Sequence, residues 1–140
     1  MVKDWLQISS DKLVESANQT IYMIGWSLFF GMLLAIPLGL AMTLCRKGGL
    51  KENLVVFWII NGIVNIVRSV PFVILLVFIA PVTKIVVGTR IGTTAAIVPL
   101  VLYIAPYLAR LIEASLLEVK SSVLEAAQAM GASTLQIIWY

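Results

Sequence analysis

Three long apolar stretches, separated by short polar breaks, make up most of this chain. The first carries no charge over residues 16–45, and residues 21–44 are predominantly apolar. About 20 residues at about 1.5 Å rise each cross the hydrocarbon of a bilayer. The stretch therefore predicts a membrane span over about 20–44. It is too long for the core of a signal peptide, and no small-x-small cleavage site leads into a polar mature chain. Ahead of it, residues 1–15 mix Lys3, Asp4, Asp11, Lys12 and Glu15 with apolar Trp5, Ile8 and Leu13. That mixture predicts a leader, drawn either as an interfacial helix or as a disordered segment. Gly31, Ala35 and Gly39 recur at four-residue steps inside the span. Such a stripe lets a second helix approach closely, and it is also ordinary glycine and alanine usage in membrane helices. Pro37 predicts a kink.

Residues 46–53 form a polar, glycine-containing break in which Arg46, Lys47 and Lys51 are basic, as expected of a cytosolic loop. A second apolar segment covers 54–87 but is interrupted by Arg68. A charge at the bilayer centre costs about 3 kcal/mol or more. One solution lays 54–67 at the cytosolic surface and starts the span at about 69, with Arg68 at headgroup level and Lys84 snorkelling at the far side. Asn61 and Asn65, four apart on one helical face, fit such a half-wet segment. The other solution is a single helix over about 57–79 with Arg68 facing protein. Pro71 and Pro81 bracket the span in the first solution. Residues 83–92 hold Lys84, Gly88, Arg90 and Gly92 and read as an outer turn. Residues 91–109 are uncharged and predict a third span over about 91–110. Pro99 and Pro106 lie inside it, which membrane helices tolerate when neighbouring protein satisfies the freed carbonyls, so a bundle is expected.

After Arg110 the character changes. Residues 111–140 carry Glu113, Glu118, Lys120 and Glu125 among alanines and leucines and read as water-exposed helix. Ser122-Val123-Leu124-Glu125 matches a capping box, with Ser122 as N-cap, and Ser133-Thr134-Leu135-Gln136 matches a second, with Ser133 as N-cap. Gly131 between them is a helix stop. The pattern is helix, glycine turn, helix. Leu116, Leu117, Val123, Leu124, Ala127 and Met130 offer an apolar stripe, and Ala126, Ala127 and Ala129 a low surface. Either a partner docks there, or the helix folds back on its own bundle.

Composition agrees with a membrane class: 61% of the 140 residues are hydrophobic and 12% charged, and the mean hydropathy is +1.02. The net charge of +3 makes no patch or stripe, so no nucleic-acid partner is expected. Three spans put the ends on opposite sides. Six basic residues (Arg46, Lys47, Lys51, Arg68, Arg110, Lys120) then lie inside and four (Lys3, Lys12, Lys84, Arg90) outside, so the N-terminus is expected outside and the C-terminus in the cytosol. Cys45 is the single cysteine and there is no histidine, so neither an intrachain disulfide nor a Cys/His zinc site forms. No phosphate-cradling Gly-x-x-x-x-Gly-Lys-Ser/Thr is present, and the carboxylates Glu113, Glu118 and Glu125 read as solvated surface charges. No catalytic residue, cofactor or metal is expected, and no substrate-binding residue can be assigned. Proton-coupled transport is disfavoured because no acidic residue falls inside a predicted span.

Glu125-Ala126-Ala127-x-x-x-Gly131 resembles the EAA loop of type I ABC importer permeases. Asn65-Ile66-Val67-Arg68-Ser69-Val70-Pro71-Phe72 is similar to the Arg-Ser/Gly-x-Pro element opening the second span of amino-acid-type permeases. Ala95-Ala96-Ile97-Val98-Pro99-Leu100 and Ala105-Pro106-Tyr107-Leu108-Ala109-Arg110, with Glu113, look closest to the methionine importer permeases. The resemblance runs from about residue 16 to the end. It implies an all-α integral membrane helix bundle in the bacterial inner membrane, with an outer N-terminus and a cytosolic coupling helix. It also implies a homodimer, two ATPase subunits that hydrolyse the ATP, an external substrate-binding lipoprotein and an amino-acid substrate such as methionine. In that family Glu125, Ala126, Ala127 and Gly131 would carry the ATPase coupling. The family pattern continues with Ile-x-Leu-Pro ten residues after the glycine, which here would begin at 141. The family has five spans, so a chain with three is expected to be the N-terminal part of a longer permease or a truncated, non-functional one. A membrane anchor or assembly protein is the alternative function.

Overall fold

The computed structural model describes residues 2–139, with side chains from Ser10 onward. Six helices follow one another, α1 (Val2–Cys45), α2 (Leu54–Ser69), α3 (Phe72–Val87), α4 (Thr93–Leu117), α5 (Ser121–Ala129) and α6 (Thr134–Trp139), and no strand occurs among the described residues.

The leader and the first predicted span are not separate elements. α1 is a single helix of 44 residues that runs through Pro37 uninterrupted. At about 1.5 Å per residue it is about 66 Å long, roughly twice the hydrocarbon thickness. Asp11, Lys12 and Glu15 are exposed on its N-terminal part. Of Trp5, Ile8 and Leu13, on which the interfacial expectation rested, Leu13 is exposed and the side chains of the other two lie outside the described residues.

α1 packs chiefly against α4. Ser27, Gly31, Ala35, Gly39 and Met42 are the buried positions of α1, spaced three or four apart on one face. Opposite them lie Ala105 and Ala109, at 3% and 0% exposure. The approach is close enough that a Cβ on Gly39 would stand 2.9 Å from the Ala109 carbonyl oxygen and 2.8 Å from Ile112 Cγ2. The small-residue stripe is therefore a packing seam, where van der Waals contact replaces the hydrophobic force that lipid cannot supply. Gly31 meets Ile104 and Gly39 meets Ile112, while Thr93 Oγ1 donates to Gln19 Oε1 at 3.4 Å. Partners advance together along both helices, so α1 and α4 run parallel. The chain between them must return from the α1 C-terminus to the level of Gln19.

That return is made by α2 and α3, which meet at a 110° bend. Pro71 sets the bend. It has no N–H to continue the ladder, and it pushes the preceding residue out of helical geometry. Val70 accordingly sits at φ −82°, ψ 126°. A single helix over 57–79 does not form; Arg68 falls in the last turn of α2. α3 continues through Val87 and stops at Gly88, whose N–H donates to the Lys84 carbonyl at 2.9 Å, so the outer turn begins later than expected at 83. α1 from Ser10 and α4 are each long and apolar enough to cross a membrane, and the bent pair makes a third crossing if taken as one span. α3 leaves Val73, Val77, Phe78 and Ile85 exposed, from 67% to 85%. A water-facing helix does not present such a surface; lipid or further protein covers it.

α4 extends seven residues past Arg110, to Leu117. Glu113 consequently lies within a helix long and apolar enough to span, and is only 3% exposed. The expectation of a solvated carboxylate at this position is corrected.

Candidate functional site

The helix–turn–helix after α4 is built largely by local hydrogen bonds. α5 begins differently from its sequence signature. Lys120 is the N-cap, no side chain caps the helix, and Ser122 is its second residue. Ser122 is therefore not the cap. Val123, not Glu125, occupies the third helical position, where a capping-box carboxylate has to stand. Glu125 and Ala126 are exposed and Ala127 is half-buried.

α5 ends as a Schellman turn. Gly131 N–H donates to the Gln128 carbonyl at 2.9 Å, and Ala132 N–H to the Ala127 carbonyl at 3.1 Å. Gly131 sits at φ +83°, a conformation that only glycine adopts without penalty. α6 then opens with reciprocal caps: Ser133 N–H donates to Gln136 Oε1 at 2.8 Å, and Gln136 N–H to Ser133 Oγ at 3.4 Å. The glycine turn folds α6 toward the end of α5 and leaves an open hollow of about 410 Å³ lined by Ala127, Met130, Gly131, Ala132, Gln136 and Ile137. No residue of α5 or α6 is buried. Val123 and Met130 are exposed by 58% and 83%, so the expected apolar stripe is only partly covered by the rest of the chain.

A second group of polar residues was not read as a unit from the sequence. Arg110 Nη1 donates to Glu113 Oε2 at 2.6 Å. Its Nη2 donates to Asn65 Oδ1 at 2.9 Å and also to Asn61 Oδ1. Asn65 Nδ2 in turn reaches Asn61 Oδ1 at 3.4 Å. One turn further along α2, the Arg68 guanidinium lies 5.9 Å from the centre of the Tyr107 ring. The signal for this group was the pairing of spacings, Asn61 with Asn65 on one helix and Arg110 with Glu113 on another. Each pair marks one face. What it could not give was that the two faces meet.

Among the described residues no cluster of His, Cys, Asp or Glu could hold a metal ion. The residues described above offer charge pairing, hydrogen bonding and apolar docking.

Residues 35–140 match the family described as binding-protein-dependent transport system inner membrane component. The chain belongs to this family. It is accordingly a multi-pass, all-helical membrane protein, and its relatives are transport permeases. It is 50% identical over 137 residues to the probable D-methionine transport system permease protein MetI of Vibrio cholerae, covering 98% of this chain and 61% of that protein. It is 43% identical over 126 residues to the D-methionine transport system permease protein MetI of Escherichia coli K12, covering 90% and 58%. A solved inward-facing structure of the MetNI methionine ABC transporter superposes with a TM-score of 0.88 at 43% identity, over 90% of this chain and 58% of that one. The chain thus spans about three fifths of the length of the relatives it matches. In this chain the Glu125-to-Gly131 segment follows the long apolar helix α4.

Proposed function

We propose that this chain forms part of the membrane-spanning permease of an ATP-driven importer for methionine or a related amino acid. One observation carries the reading. The α5–Gly131–α6 unit follows a spanning helix, has a fixed internal geometry, and buries none of its residues. A helix pair that is rigidified by its own caps and uncovered by its own chain suits a partner, not the bundle. The permease relatives of the D-methionine system, and the likeness to a methionine ABC transporter, support the choice of substrate and of an ATPase as that partner.

In this reading the N-terminus is outside and α5 lies in the cytosol. The partner ATPase hydrolyses ATP, a lipoprotein delivers substrate, and two permease copies pair. ATP-driven closure of the ATPases pushes on Glu125, Ala126, Ala127 and Gly131 and biases the helices between inward and outward states, by making different contacts with each. Gly131→Trp in the full-length permease tests it. The exposed turn is expected to lose ATPase co-purification while membrane insertion is kept, and uptake of radiolabelled methionine is expected to fall to background. Retained co-purification argues against the docking role. Absence of methionine uptake by the unaltered complex argues against the substrate.

A further inference from the structure

α4 packs against α1, α2 and α3, and its contacts with α1 and with α2 are of different kinds. Against α1 the contact is a seam of small and apolar side chains. Against α2 it is polar. Asn61, Asn65 and Arg68 lie along one face of α2, and they meet Arg110 and Tyr107 in reverse order along α4, so these two helices run antiparallel. Only Val64 of α2 is buried. At its far end α2 is disconnected from α3 by the Val70–Pro71 break, where no helical ladder crosses and the direction changes by 110°. A helix with little fully buried apolar surface and a break at one end is held in place by the contacts along its sides. Beside its packing against α1, the polar part of that hold on α2 is one guanidinium.

We propose that Arg110 is a positioning residue for transport: a clasp that fixes α2 on α4 through Asn61 and Asn65, and whose release frees α2 to swing about the break at Pro71. The importer reading underlies the transport half of this statement; the clasp itself does not depend on it. The chemistry suits the task. The planar fork of arginine donates from two nitrogens in fixed directions, one toward Glu113 on its own helix and one toward the paired amides of α2. Glu113 is 3% exposed and its ion pair with Arg110 spans three residues of the same helix. The carboxylate therefore holds the guanidinium on α4 whether or not α2 is attached. The two amides are neutral, and each is only half-buried or exposed, so letting go of them leaves no buried charge behind. The charged part of the clasp is permanent and the neutral part releasable. α4 leads within a few residues to α5, so a push on the coupling segment reaches the clasp along one helix.

The test uses the full-length permease with its ATPase, in a cysteine-free background. Spin labels at Ile63 on α2 and Leu111 on α4, both exposed, report the clasp; labels at Leu33 and Leu111 report the α1–α4 seam as a control. Asn61→Leu with Asn65→Leu removes the amides and leaves the Arg110–Glu113 pair intact. The 63–111 distance distribution is expected to widen at least twofold and the 33–111 distribution to stay unchanged. Substrate uptake is expected to fall at least tenfold, with ATP hydrolysis and the half-saturating substrate concentration kept within twofold. Arg110→Gln with Glu113→Gln, which leaves no unpaired buried charge, is expected to do the same. An unchanged 63–111 distribution in the double Asn variant overturns the clasp. A widened distribution with full uptake overturns its role in transport. Unaltered protein that takes up no substrate defeats the importer reading, and the distance arm then decides the clasp alone.

Discussion

Gly39→Ala is expected to destabilise the helical bundle although it adds a single methyl group to a residue type that favours helices. The added Cβ would stand 2.8 Å from Ile112 Cγ2, 2.9 Å from Ile112 Cβ and 2.9 Å from the Ala109 carbonyl oxygen. Carbon atoms in contact rest about 3.5–4.0 Å apart, so α1 and α4 have to separate by several tenths of an ångström. The oxygen belongs to the backbone and cannot rotate away. Overpacking of this kind costs about 1–3 kcal/mol, or about a 5- to 150-fold shift in an unfolding equilibrium. Gly25→Ala, on the same helix, is the internal control. Nothing lies within 4 Å of its added methyl, so helix propensity alone acts, and it is expected to stabilise by about 0.5–1 kcal/mol. Both variants are measured by titrating dodecyl sulfate into mixed micelles and following reversible loss of helicity. The reasoning rests on opposite signs for one chemical change at two places. If Gly39→Ala unfolds at the same or a higher denaturant fraction than Gly25→Ala, the α1–α4 seam is not the close contact described above.

Two further changes probe the local structure. Ser133→Ala removes the acceptor for the Gln136 amide at the start of α6, and a loss of about 0.5–2 kcal/mol is expected, seen as faster hydrogen exchange at Gln136 with the exchange of α4 unaffected. Pro71→Ala restores a backbone donor at the α2–α3 break and relaxes the constraint on Val70. Spin labels at exposed Ile59 and Val77 should then report a straighter pair, with a mean bend smaller than 110°, and an unchanged bend would mean that the surrounding packing, not the proline, sets it.

The apolar pattern foretold the helices well where one rule dominated. Uncharged runs of span length became α1 and α4, and the Gly31–Ala35–Gly39 spacing became a true contact because four-residue steps place those residues on one face. Gly131 was legible for the same reason: a glycine after an apolar helical run has one common use, and its φ of +83° fulfils it. Errors fell where two local signals competed. Ser122 and Glu125 have capping-box spacing, yet the chain leaving α4 enters α5 earlier, at Lys120, because a helix start is set by the incoming backbone as much as by the best available hydroxyl. The end of α4 was placed at Arg110 because charge was taken as a sign of water. A charge that carries its own counter-charge one turn away does not need water, so the helix passes through Arg110 and Glu113 to Leu117.

The same pair explains why α2 was the hardest segment to place from its residues alone. Its sequence has too many polar groups for a lipid-facing span and too few for a solvated helix, and neither solvent accounts for Asn61 and Asn65. Their solvent is Arg110. In a low-dielectric setting a charge-assisted hydrogen bond is stronger than the same bond in water, so a few such contacts can hold a helix that apolar burial does not. They are also directional, and directional contacts are lost over a small displacement, whereas at the apolar α1–α4 seam the helices stand so close that Gly39 has no room for an added methyl group. A tightly packed pair, α1 with α4, thus stands beside an element, α2, whose hold on α4 is largely polar and, in the clasp proposed above, makes or breaks as a set. In the importer reading proposed above, motion driven from α5 enters through α4, and α2 is the segment whose attachment changes while the α1–α4 pair stays whole.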